Sequence, residues 1–254
     1  MDWINTSLLF FGSLTASTLS SIAGGGAGLL QFPLLIFLGL PFSVALATHK
    51  IATVAMGLGA AGSHLKSKTL DVPLMSYLIT VGSLGVVIGA NLVVNLNGEL
   101  GERLLGALIL CLGIYSRIKP ALGHQETPTH RDLKGWVIGG LVLILLGIFN
   151  GSLTAGSGLV VTLFLVRWFG FSYKQSVALT LICVGLFWNG IGAMAIIHAG
   201  INPHWPWIPI LLVASFFGGW LGAYLTTKLS NHIIKKAFEL LTFAVGIKLI
   251  LGAI

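Results

Sequence analysis

The chain has 254 residues, 56% hydrophobic and only 8% charged, with 14 Lys/Arg against 7 Asp/Glu. Soluble domains carry about 25% charged residues, so this composition excludes a soluble enzyme, a disordered chain and a secreted disulfide scaffold. The net charge of +7 is scattered between apolar blocks, which points away from a nucleic-acid partner. Cys111 and Cys183 both lie in apolar runs and imply no disulfide framework. The expected fold class is an all-α membrane protein, a polytopic bundle of about eight to ten membrane segments.

A bilayer core about 30 Å thick needs about 20 apolar residues per helix. In chain order the apolar segments run near 4–23, 26–40, 42–63, 73–95 and 100–118, then near 135–155, 157–170, 175–198, 206–228 and 232–254. The second segment of each half is short, and a helix of about 15 residues reaches only about 23 Å. Each also begins at glycines, Gly24-Gly25-Gly26-Ala27-Gly28 and Gly156-Ser157-Gly158. Both read as broken or re-entrant helices. Lys50 is the first basic residue, so no charged leader precedes the first span and a cleaved signal peptide is not expected.

The most polar stretch holds Arg117, Lys119, Arg131 and Lys134, which makes it cytoplasmic by the positive-inside rule. Five crossings per half, or three with a re-entrant pair, then place Lys66, Lys68, Arg167, Lys174, Lys228, Lys235 and Lys236 inside. Arg103 and Lys248 fall outside, with the N-terminus. Four crossings per half strand five of these charges on the wrong face. The surviving arrangements require residues 167–174 to share a face with the 117–135 connector.

The halves repeat. Ser43-Val44-Ala45-Leu46 recurs as Ser176-Val177-Ala178-Leu179, an offset of 133. Gly89-Ala90 recurs as Gly222-Ala223 at the same offset, and the glycine runs align at 130, Gly26 on Gly156. The expected division is a first transmembrane repeat over 1–118, a cytoplasmic linker over 119–134 and a second repeat over 135–254. An odd number of crossings makes the repeats inverted, a plan that places a substrate midway through the membrane where broken helices meet.

Lys50 falls about a third of the way into its segment, where a lysine costs about 2.5–3.5 kcal/mol. Either it faces a polar cavity and binds an anion, or its stem lets the ammonium snorkel to the outer interface. Helix N-termini at Gly24, Gly25, Gly26, Ala27, Gly28 and at Gly156, Ser157, Gly158 offer N–H groups to an anion; close helix packing is the alternative use of such glycines. Gln31, Thr48, His49, Asn150, Ser152, Thr154, Thr180 and Asn189 could complete a shell, although Ser and Thr commonly bond their own helix carbonyls. Cys183 aligns with Lys50 across the repeat and joins the candidates. Asp2, Asp71, Glu99, Glu102, Glu126 and Asp132 map to ends or loops, and Glu239 lies within a span. Scarce intramembrane carboxylate suits an anion better than a cation.

Ala23-Gly24-Gly25-Gly26-Ala27-Gly28, Gln31-Phe32-Pro33, Leu38-Gly39-Leu40-Pro41 and Ala45-Leu46-Ala47-Thr48-His49-Lys50 resemble the first repeat of the TauE/SafE family. Asn150-Gly151, Thr154 to Gly158 and Ser176 to Thr180 resemble its second. The resemblance implies a secondary transporter that exports sulfite or a small sulfonate across the bacterial inner membrane by alternating access. It implies no cofactor and no metal. The implied partners are the anion, the lipid bilayer and a possible second copy in a homodimer. Two alternatives remain at this point: import of thiosulfate or another small anion, and a metal-handling or assembly factor using Cys111, Cys183, Met56, Met194 and the histidines.

Overall fold

The computed structural model describes residues 3–25, 27–64, 72–93, 98–118, 128–225, 243–244 and 246–251. Gly26, Lys66, Lys68, Lys119, Lys228, Lys235, Lys236, Glu239 and most of the tenth apolar segment lie outside the described residues. The helices are α1 Trp3–Ala23, α2 Ala27–Phe37, α3 Phe42–His64, α4 Val72–Val93, α5 Gly98–Ile118, α6 Leu133–Ser152 and α7 Ser157–Trp168. Next, α8 Tyr173–Thr180 runs through a π-helical stretch, Leu181–Trp188, into α9 Asn189–His198. A 3-10 turn, Trp205–Trp207, leads into α10 Ile208–Leu225. The nine apolar segments up to residue 228 thus appear as helices, with ends within a few residues of expectation.

Local chemistry sets the boundaries. A capping box of Ser172 and Gln175 starts α8, and Asp132 caps α6 by accepting the Gly135 N–H. Helix α1 stops where Gly24 and Gly25 turn to positive φ, 82° and 113°. Helix α6 stops before Thr154 at φ 57° and Gly156 at φ 71°, conformations that end a right-handed helix.

Beyond each break the chain folds back. Leu34 Cδ2 of α2 lies 2.5 Å from where a Cβ on Gly12 of α1 would sit. Trp168 at the end of α7 donates its indole N–H to the Gly135 carbonyl at the start of α6, 3.1 Å away. With 11 and 12 residues, α2 and α7 are each less than about 20 Å long and return alongside the helices that precede them. Both are too short to span a bilayer, whereas among the described residues α1, α3, α4, α6, the α8–α9 helix and α10 are long and apolar enough to cross one.

The repeat offsets reappear as packing registers. The two most extensive helix contacts are α1 on α10 and α4 on α6. Gly218 and Gly222 rest on the Leu14 and Thr18 carbonyls; Gly85 and Gly89 rest on those of Ile144 and Ile148. Leu14 to Ile144 is the 130 offset, and Gly85 to Gly218 is the 133 offset, so the two pairs are one contact made twice. Between the repeat mates α3 and α8–α9, Lys50 meets Gly192, Val54 meets Gly190 and Gly57 meets Gly185. Numbers rise along one helix as they fall along the other. The mates are antiparallel, and the halves form two inverted repeats.

Each helical hairpin, α1–α2 and α6–α7, is held at its open end. Thr129 donates its hydroxyl to the Trp168 carbonyl at 2.7 Å, and the Arg131 guanidinium sits 4.7 Å over the Phe171 ring. Residues 129–131 and 168–171 consequently share a face, as the charge distribution requires. At the end of α2, the Lys248 ammonium lies 4.4 Å over the Phe37 ring. The inverted repeat puts that contact on the opposite face.

Candidate functional site

The two helix breaks meet back to back. A Cβ on Gly25 would lie 2.6 Å from Gly158 Cα, and one on Gly158 would lie 2.9 Å from Gly25 Cα. Backbone touches backbone, and at φ 113° Gly25 also holds a conformation that L side chains rarely adopt. Thr162 ties the junction together through bonds to the Gly24 carbonyl (2.7 Å) and the Thr180 hydroxyl (2.9 Å).

Lys50 reaches into this junction from α3. It is completely buried, so the snorkelling alternative does not describe it. Its ammonium donates to the Asn150 carbonyl at 2.8 Å, Asn150 Oδ1 at 3.2 Å, Thr154 Oγ1 at 3.4 Å and Asn189 Oδ1 at 3.4 Å. An ammonium has three donors and no acceptor, which decides how both amides are turned: each oxygen faces the lysine and each NH2 group faces away. Asn150 Nδ2 donates to Ser157 Oγ at 2.8 Å and to Asn189 Oδ1 at 3.3 Å. With its Oδ1 taken twice, Asn189 keeps its NH2 for other partners.

All four acceptors of Lys50 are neutral. Among the described residues the ion pair recorded is Arg103–Glu99, an exposed turn of α5. A buried cation solvated by dipoles alone carries its charge outward through them, and its field in a medium of low polarity is weakly screened.

Beside this shell lies a cavity of about 30 Å³, room for about two waters. Ten of the expected residues border it: Gly25, Ala27, Gly28 and His49 from the first repeat, with Asn150, Thr154, Ser157, Gly158, Thr180 and Asn189 from the second. Six expected contact residues do not, for stated reasons. Lys50 is not among the lining residues and binds the side-chain oxygens of Asn150 and Asn189, which are. Gln31 bridges α10 and α3, donating to Ser215 Oγ at 2.9 Å while its Oε1 meets His49 Nδ1 at 2.7 Å. Thr48 bonds the Val44 carbonyl and accepts the His204 N–H at 2.9 Å, strapping the α9–α10 loop to α3. Gly24 gives its carbonyl to Thr162, and Gly156 is the left-handed cap of α7. Cys183 packs against α4, with Sγ 4.0 Å from the Met75 carbonyl. Ser152, a further polar candidate, bonds back to Ile148.

This geometry can be set beside known proteins. The family model for the sulfite exporter TauE/SafE matches residues 9–249. The chain belongs to the TauE/SafE family. It is 25% identical over 243 residues to a probable membrane transporter protein of Haemophilus influenzae, covering 96% of this chain and 93% of that one. A second probable membrane transporter protein of Haemophilus influenzae is 29% identical over 265 residues, with 96% and 97% covered. The probable membrane transporter protein YfcA of Escherichia coli is 26% identical over 247 residues, with 96% and 88% covered. No solved structure matches. This TauE/SafE protein is accordingly a membrane transporter.

The cavity of this family member also holds Ser20, Thr53, Leu181, Val184 and Gly185, which sequence reading passed over, and Met56, which it weighed only for a metal-handling alternative. Two of them carried a signal. The 130 offset places Ser20 on Asn150, and the 133 offset places Met56 on Asn189. The repeat mates of the polar shell were therefore legible as candidates.

Proposed function

We propose that the protein moves a small oxyanion, with sulfite or a small sulfonate as the favoured guest, by alternating access about the two inverted repeats. The supporting observation is the completely buried Lys50 ammonium, surrounded by neutral oxygens and turned through two amides toward a cavity at the junction of both broken helices. A negative guest would complete that charge.

The roles follow from the chemistry. Lys50 orients and polarises Asn150 and Asn189. The Asn189 NH2 group and the first-turn N–H groups of α7 beyond that of Ser157, which donates to the Thr154 carbonyl, offer donors to oxyanion oxygens. His49 closes the side toward α10. At about 30 Å³ the cavity is smaller than an ion of four heavy atoms needs, so binding on this reading requires the cavity to widen. In a bacterial inner membrane with residues 119–134 cytoplasmic, an inside-negative potential drives an anion outward by about 2.3 kcal/mol per charge per 100 mV. Export then needs no coupling ion.

The metal-handling alternative requires a cluster of soft ligands. Among the described residues no three His, Cys, Asp or Glu side chains come together, and Cys183 is buried while Cys111 is exposed. The test is sulfite flux in potential-clamped proteoliposomes, with and without a proton gradient. Flux following the potential alone supports uncoupled export; strict dependence on the gradient refutes it, and no flux of any oxyanion refutes the function.

A further inference from the structure

We propose that the Ser20 hydroxyl is a guest ligand, a donor from the first repeat that pairs with an oxyanion oxygen in the cavity. This rests on the reading of that cavity as an anion site. Ser20 is 2% exposed, borders the cavity and has no hydrogen-bond partner for Oγ among the described residues. Hydroxyls in membrane helices ordinarily bond the carbonyl four residues back, and Thr18, Thr48 and Ser152 here do so. Ser20 forgoes that bond.

Its neighbours sharpen the case. Ser13, Ser17 and Ser21 also lack partners, but none of them borders the cavity, and Ser17 and Ser21 press their Cβ atoms against Gly218 and Gly222 of α10. The Ser20 carbonyl accepts the Gly25 N–H at 2.9 Å, which fixes the hydroxyl relative to the helix break. Across the repeat its counterpart is Asn150, whose amide is committed to Lys50, Ser157 and Asn189. The first half thus contributes an uncommitted hydroxyl where the second contributes the oriented amide.

The experiment measures sulfite binding and melting temperature of the detergent-purified full chain for wild type, Ser20→Ala and, as a control outside the cavity, Ser17→Ala. A hydrogen bond to a charged group is worth enough that Ser20→Ala should weaken sulfite binding about tenfold or more. The melting temperature without sulfite should hold or rise, because the substitution removes an unpaired buried hydroxyl. Ser17→Ala should bind sulfite as wild type does. Equal sulfite affinity in Ser20→Ala and wild type overturns the assignment alone. So does a lowered melting temperature with the same affinity loss in both variants, which marks a packing role. A wild type indifferent to sulfite, sulfonates and thiosulfate overturns this assignment together with the function it rests on.

Discussion

Replacing Lys50 by methionine keeps most of the volume of its stem and deletes the charge. The distance from ammonium to guest is set by one amide layer: 3.4 Å to Asn189 Oδ1, then across the amide and one further hydrogen bond, about 7 Å in all. At an effective dielectric of about 20 the lost attraction is about 2.4 kcal/mol, a roughly 60-fold weaker affinity. Stability should change far less. The variant strands acceptors on Asn150 and Asn189, at about 1–3 kcal/mol each, but escapes the desolvation of a buried cation, a cost of several kcal/mol. These terms oppose each other and leave the melting temperature within a few degrees. Calorimetric sulfite titration of the detergent-purified variant, paired with its unfolding curve, checks both halves. A folded Lys50→Met protein that binds sulfite within about threefold of wild type would refute the role given to the ammonium. Lys50→Arg should not rescue, because a Cβ on Gly192 would lie 3.1 Å from the ammonium and the wider guanidinium has no space there.

Three other outcomes follow from the same geometry. Gly25→Ala drives a methyl group into Gly158 and forces alanine to φ 113°; strain of about 1–3 kcal/mol from the backbone alone, plus the clash, should lower the melting temperature and abolish flux. Asn189→Asp places a carboxylate at the Oδ1 position 3.4 Å from Lys50, so unfolding should shift upward or hold while sulfite affinity collapses; unimpaired binding would contradict the anion reading. Single cysteines at the exposed positions Thr129 and Arg167 in a cysteine-free background should react with an impermeant reagent from one face, and those at the exposed positions Gly39 and Asn202 from the other. Thr129 and Arg167 labelling from opposite faces would break the inverted arrangement.

The backbone contact between Gly25 and Gly158 is one of several ties on the two hairpins. The hairpins are joined at their tips by glycine contact and by Thr162, and each is held at its open end, α7 by Thr129 and α2 by Phe37 beneath Lys248. The π-helical turns at Leu181–Trp188 pack against α3 at Gly57 and are the repeat mate of the stretch that holds Lys50. Such turns recur at functional sites, and this one supplies Leu181, Val184 and Gly185 to the cavity wall.

Hydrophobic composition and segment length were sufficient to establish a membrane bundle, because a bilayer imposes one length on every crossing helix. Two offsets, 130 and 133, were enough to pair the halves, since each reports a packing register that the structure repeats at Gly85 and Gly218. Lys50 stood out for the same kind of reason: a charge within an apolar run has a cost visible without any fold. Nothing along the chain could say that α2 and α7 turn back, because a short apolar helix satisfies its backbone equally well in either direction, and contacts such as Leu34 on Gly12 make the choice. Nor could it separate Lys50 from the cavity it serves, or raise Ser20 above three similar serines on α1. Those distinctions depend on which side chains meet across residues far apart in number, and a periodic apolar helix carries no local record of its distant neighbours.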